Sequence, residues 1–72
     1  MSEKILIKGD YITLGQFLKV VNAVESGAMA KMVIADGEVL VNGEVEVRRG
    51  KKLRQGDKVS FDGVDYEVVN ED

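Results

Sequence analysis

Hydrophobic and polar residues alternate at the start of the chain. Lys4 to Lys8 place Ile5 and Ile7 on one face, which suits a short strand, and the charged ends mark it as a sheet edge. The period then lengthens. Thr13 is followed three residues later by Gln16, a capping-box pattern that satisfies free backbone N–H groups, so a helix is expected to begin there. Leu14, Phe17, Leu18 and Val21 fall at i, i+3, i+4 and i+7 and form one stripe to be buried, while Gln16, Lys19 and Asn22 fall elsewhere. Lys19 is therefore expected to face water. Ser26 as N-cap and Gly37 as C-terminal stop bracket a second helix of about two to three turns. Its packing face is Ala30, Val33 and Ile34. Lys31, roughly 100° around the helix from Ala30, projects from the flank of that face.

Beyond the second helix the period is two. Val39 and Val41 lead to Asn42-Gly43, a strong hairpin signal, and Val45 and Val47 follow. Glu44 and Glu46 alternate with these valines and are read as the solvent face. Gly56-Asp57 is a turn, Val59 and Phe61 alternate as a strand, and Asp62-Gly63 returns the chain to Val64, Tyr66 and Val68. The order is strand, helix, helix, then several strands. This predicts an α+β fold with two short helices packed on a small, mostly antiparallel sheet. No repeat, low-complexity tract, linker or proline interrupts the 72 residues, so residues 1–72 read as a single domain.

Composition narrows the chemistry. Cysteine and histidine are absent, which excludes disulfides, thiolate catalysis, the usual zinc sites and a histidine general base. A chain this short has little material to enclose a catalytic pocket, so no enzyme activity, metal or cofactor is expected. No apolar run is long enough to span a membrane and no secretion signal is visible, so the expected location is cytoplasmic.

Ten basic residues against thirteen acidic ones give a net charge of -3, which alone argues weakly against a nucleic-acid partner. Distribution reverses that argument. Arg48, Arg49, Lys51, Lys52 and Arg54 fall within seven consecutive residues that contain no acid. Short charge runs are usually solvated loops. Here five neighbouring cations repel one another unless counterions or phosphates offset the repulsion, although the chain has many carboxylates that could have been interspersed. Gly50 would let the backbone turn, but the segment lacks P-loop spacing, so nucleotide binding is not expected. Phe17, Phe61 and Tyr66 lie on apolar faces, which leaves Tyr11 as the candidate exposed ring. Single-strand binders need several such rings, so structured RNA is favoured, read through backbone and shape.

The string SGAMAKMVIADGEVLVNG, residues 26–43, resembles the αL RNA-binding motif of the domain named after the fourth protein of the small ribosomal subunit. The likeness lies in the capped short helix, the Ala30-Lys31 and Val33-Ile34 pairs, the Gly37 stop and the Val41-Asn42-Gly43 turn. ITLGQFLK before it and LRQGDKVSF after it extend the resemblance over residues 12–61. Together with VNGEVEVRRGKKL they are most similar to single-domain bacterial YaaA-type members. The resemblance implies non-catalytic binding of structured RNA by a basic surface of the helix pair and the adjacent loop. Carried over, Lys31 matches the basic position of the second helix, and Arg48, Arg49, Lys51 and Lys52 fall in the loop after the hairpin. Thr13 and Gly27 stand where typical members place arginine near the helix starts, so the helical part of the surface is less charged.

The expected RNA-binding residues are thus Lys19, Lys31, Arg48, Arg49, Lys51, Lys52 and Arg54. By resemblance, the expected partner is ribosomal RNA or a ribosome-assembly particle, with assembly proteins as further partners. An interaction module gripping an acidic protein through the same loop remains open. VNGEVEV followed by GDKVSF is also similar to β-grasp sulfur carriers, but those act through a C-terminal Gly-Gly, and this chain ends Val-Val-Asn-Glu-Asp.

Overall fold

A computed structural model describes residues 2–71. In chain order these residues form β1 (Ser2–Ile7), β2 (Ile12–Thr13), α1 (Leu14–Val20), α2 (Gly27–Ala35), β3 (Val39–Val41), β4 (Glu44–Val45), β5 (Lys52–Leu53), β6 (Lys58–Phe61) and β7 (Val64–Asn70). Five strands make one sheet in the order β1-β7-β6-β3-β4, and β2 pairs with β5 separately. Only the β1–β7 pairing is parallel, so the sheet is mostly antiparallel with two helices packed on it, as expected. β1 is an edge strand, as its lysines suggested.

Local chemistry explains the boundaries. Thr13 caps α1 through a complete capping box with Gln16, and the Ser26 hydroxyl accepts from the Met29 N–H to cap α2. Asn42 (φ 53°) and Gly43 (φ 85°) turn β3 into β4, while Asp62 (φ 52°) and Gly63 (φ 79°) turn β6 into β7. Two successive residues at positive φ define the two-residue hairpin turn whose twist matches that of the strands.

Leu14, Phe17 and Leu18 of α1 and Ala30 and Ile34 of α2 are fully buried against Val39, Val59 and Val68 of the sheet. Phe17 meets Tyr66 edge-to-face with ring centroids 5.7 Å apart, which ties α1 to β7. Val21, Val33 and Phe61, expected in the core, are half-buried at its margin. Ile7, Val24, Val41 and Leu53 complete it.

Two expectations fail. Val45 and Val47 do not face inward but are exposed, while Glu46 is half-buried. The register gives the reason. Leu40 pairs with Val45 and Val41 with Glu44, and the Glu46 N–H donates to the Val39 carbonyl at 3.0 Å. Directly opposed residues share a face, so the glutamates lie on the face of Val39 and Val41. The second failure concerns residues 48–54, which are not simply a loop. They include β5, whose Leu53 is fully buried.

Phe17→Ala is expected to cost about 3 to 5 kcal/mol, since it deletes a fully buried ring from a small core. Urea unfolding measures this, and a melting temperature near that of the wild type would contradict the packing described.

Candidate nucleic-acid interface

The basic segment is held by its backbone. The Leu14 N–H donates to the Lys51 carbonyl at 2.8 Å and the Gly15 N–H donates to the Arg49 carbonyl at 3.0 Å. These bonds continue the β2–β5 ladder, in which Ile12 pairs with Leu53 and Thr13 with Lys52. At the far end, the Asp57 carboxylate accepts from the Arg54 N–H at 2.7 Å and from the Asn42 side-chain amide at 3.2 Å. The Lys58 N–H in turn donates to Asn42 Oδ1 at 3.0 Å. Asn42 is therefore more than a turn residue: it links the β3–β4 hairpin to the end of the basic segment.

Gly15 leaves room for the Arg49 side chain against α1. A Cβ there would lie 2.7 Å from Arg49 Cγ, well inside van der Waals contact. The absence of a side chain leaves that space to the Arg49 side chain; the Arg49 backbone carbonyl, at 3.6 Å, would be in ordinary contact.

The cationic side chains line two adjoining depressions. One, of about 540 Å³, is lined by Arg48, Gly50, Lys51, Lys52 and Arg54. The other, of about 240 Å³, lies where α1, α2 and the basic segment meet, with Lys19 and Arg49 beside the small residues Gly15, Gly27 and Ala30. Gly50 lines both, and neither contains an acidic residue. The structure thus brings together six of the seven expected cations. Lys31 is exposed on α2 one residue beyond Ala30, but it is not among the residues lining either depression. Gly27, which stands where an arginine was expected from the resemblance, leaves open space at the start of α2.

Tyr11 is exposed, and two of the cations lie over its ring. Lys52 Nζ is 4.9 Å and Arg54 Cζ 5.6 Å from the ring centroid.

Arg48 differs from its neighbours because it has an acidic partner. Its Nε donates to Glu46 Oε2 at 3.0 Å, its Nη2 to Oε1 at 3.2 Å, and its backbone N–H to Oε2 at 3.0 Å. The arginine side-chain bonds, followed by that backbone bond, lower the Glu46 carboxyl to about 2, with Lys51 contributing and burial opposing. The same pairing raises the Arg48 pKa. The segment has no acid in sequence, yet the fold brings two carboxylates against it, Glu46 at the Arg48 side chain and Asp57 at the Arg54 N–H. Arg48 remains solvent-facing, with 73% of its side chain exposed against 13% for Glu46. The residues that sequence reasoning missed here are structural ones: Gly15, Asn42, Glu46 and Asp57. The Asn42-Gly43 and Gly56-Asp57 turns carried a signal for two of them, as turn residues only.

Among the described residues, no group of three His, Cys, Asp or Glu side chains is placed to hold a metal ion. No helix of the described residues is long and apolar enough to cross a membrane.

The S4 domain family model matches residues 5–69, and the chain belongs to this family. It is 48% identical over 71 residues to the Bacillus subtilis probable ribosome maturation protein RlbA, covering 97% of this chain and 100% of that one. It is 44% identical over 62 residues to the Escherichia coli putative RNA-binding protein YbcJ, covering 86% of this chain and 89% of that one. The solution structure of E. coli YbcJ, described as revealing an αL motif involved in RNA binding, superposes with a TM-score of 0.67 at 40% identity. That match covers 94% of this chain and 85% of that one.

Two outcomes follow from this geometry. Glu46 is depressed in the folded state, so its contribution to stability is present above its unfolded value of 4.5 and is lost as pH falls towards about 2. Glu46→Gln is expected to flatten the decline of melting temperature across that acid window. Gly15→Ala is expected to cost about 1 to 3 kcal/mol through overpacking against Arg49, despite alanine's better helix propensity. Gly27→Ala, where a Cβ meets nothing within 4 Å, is the control and should be neutral or slightly stabilising. Equal effects of the two glycine changes in urea unfolding would contradict the contact.

Proposed function

We propose that this chain is a non-catalytic, single-domain RNA-binding protein that grips structured RNA, with ribosomal RNA or a ribosome-assembly particle as its target. One observation carries this reading. An otherwise acidic chain lines two adjoining depressions with six cations, one of them, Arg48, paired with Glu46 from outside the lining, and backbone hydrogen bonds to α1 fix the segment that supplies five of them. Such a surface suits phosphates spaced along a folded backbone.

The naming of relatives as an RNA-binding protein and a probable ribosome maturation protein supports the same reading. Tyr11 is the single aromatic among the exposed large hydrophobic residues of the described chain, which is too few rings for a single-strand stacking platform. Recognition therefore runs through phosphates and shape. Arg48 already carries a carboxylate partner, so Arg49, Lys51, Lys52 and Arg54 supply most of the phosphate contact, with Lys19 and Lys31 at the margin.

Four or five phosphate contacts imply a log-affinity against log-salt slope of roughly -3 to -4.5. Replacing Arg48, Arg49, Lys51 and Lys52 together by glutamine should weaken binding to a folded RNA and flatten that slope while leaving the fold intact. Lys31→Gln should change the slope by about one unit at most. Fluorescence anisotropy across a salt series measures both. Wild-type affinity and salt dependence in the quadruple variant would overturn the proposal, as would RNA binding that is insensitive to salt.

A further inference from the structure

A third depression, of about 480 Å³, adjoins the cleft between the helices, and Gln16 and Lys19 line both. Its character is different. Leu6, Tyr11 and Val20 line it and are exposed to 65%, 43% and 58%, an unusual concentration of bare apolar surface for so small a chain. Lys8 and Lys19 also line it, and no acidic residue does. The cations over the Tyr11 ring, Lys52 and Arg54, belong to the neighbouring basic depression. Apolar surface, one aromatic ring and surrounding positive charge therefore meet at one place.

We infer that this groove is a subsite for a single unpaired nucleobase extruded from the bound RNA; the inference rests on the RNA-binding function proposed above. A nucleobase combines an apolar π face with a hydrogen-bonding edge and arrives attached to phosphates. The groove meets each part. Tyr11, Leu6 and Val20 offer stacking and apolar contact, and Lys8 and Lys19 offer charge for the flanking phosphates. Gln16 offers the edge contact. Its Oε1 is committed to the Thr13 N–H and hydroxyl, which fixes the carboxamide and leaves its N–H groups as donors. Continuity with the phosphate-binding surface favours a base over a protein segment, because a backbone held by Lys52 and Arg54 already passes the Tyr11 ring. A single ring suits one bulged base within a structured RNA, where a run of unpaired bases would need several.

The test compares an RNA hairpin carrying one bulged nucleotide with its fully paired counterpart. Wild-type protein is expected to prefer the bulged hairpin. Tyr11→Ala should remove that preference, with a loss of roughly 5- to 150-fold on the bulged hairpin beyond any change on the paired one. The paired hairpin accounts for what Lys52 and Arg54 lose with the ring. Tyr11→Phe should retain the preference and Val20→Ser should reduce it part-way. Equal wild-type affinity for the two hairpins, or equal losses on both in Tyr11→Ala, would overturn the subsite and leave the phosphate surface standing. No salt-sensitive binding to either hairpin would overturn both proposals. A wild-type dimer in sedimentation that Val20→Asp converts to monomer would assign the groove to a second copy of the chain instead.

Discussion

The first turn of any helix leaves four N–H groups without partners inside the helix. In α1 all four are satisfied, and the way this is done organises the rest of the molecule. Thr13 and Gln16 settle two between themselves through the capping box. The other two, from Leu14 and Gly15, reach across to the carbonyls of Lys51 and Arg49. A segment of five mutually repelling cations is thereby fixed to the most deeply buried helix. Leu53 anchors the same segment in the core, and Gly15 leaves room beside it for the Arg49 side chain. The helix N-terminus is consumed in this role, so an approaching phosphate meets side chains and not free helix amides.

Rigidity of this kind bears on affinity. A mobile basic loop loses conformational entropy when it binds, whereas a segment already held by ladder bonds and a buried leucine loses less. The electrostatics are tuned by the same geometry. The two-residue Asn42-Gly43 turn sets Glu46, just beyond β4, on the side of Val39 and within reach of Arg48, and the pair withdraws one arginine from the free cations. Being largely solvent-facing on the arginine side, this pair adds little to stability. Its larger effect is on which cations remain available.

Much of the fold was legible in the sequence because its signals are local. The Thr13-Gln16 box, the Ser26 cap, the Gly37 stop and the two Asn-Gly and Asp-Gly turns each rest on chemistry within a few residues. The inverted face of β4 was also legible in principle. A two-residue turn pairs Val41 with Glu44, so residues of opposite parity share a face across the hairpin, and Val45 cannot join Val39 and Val41. At Asp62-Gly63 the same rule holds, since Val59 pairs with Tyr66 and both are buried. The basic cluster was visible as composition. Its anchoring was not, because the bonds from Leu14 and Gly15 join residues far apart in the chain and leave no periodic trace. The parallel addition of β1 to β7 joins the two ends of the chain and was invisible for the same reason.

Charge distribution adds a final constraint on how such a molecule meets RNA. The thirteen acidic residues all lie outside residues 48–54 in sequence, on a body measuring 33 × 22 × 18 Å. At physiological salt, electrostatic influence decays over about 8 Å, so the basic face acts on a nearby phosphate largely without cancellation from carboxylates farther off than that, Glu46 and Asp57 being acids placed against it. A net charge of -3 is therefore compatible with local attraction of a phosphate to the basic face. A uniformly basic protein of this size would bind RNA from any side, with no face selected.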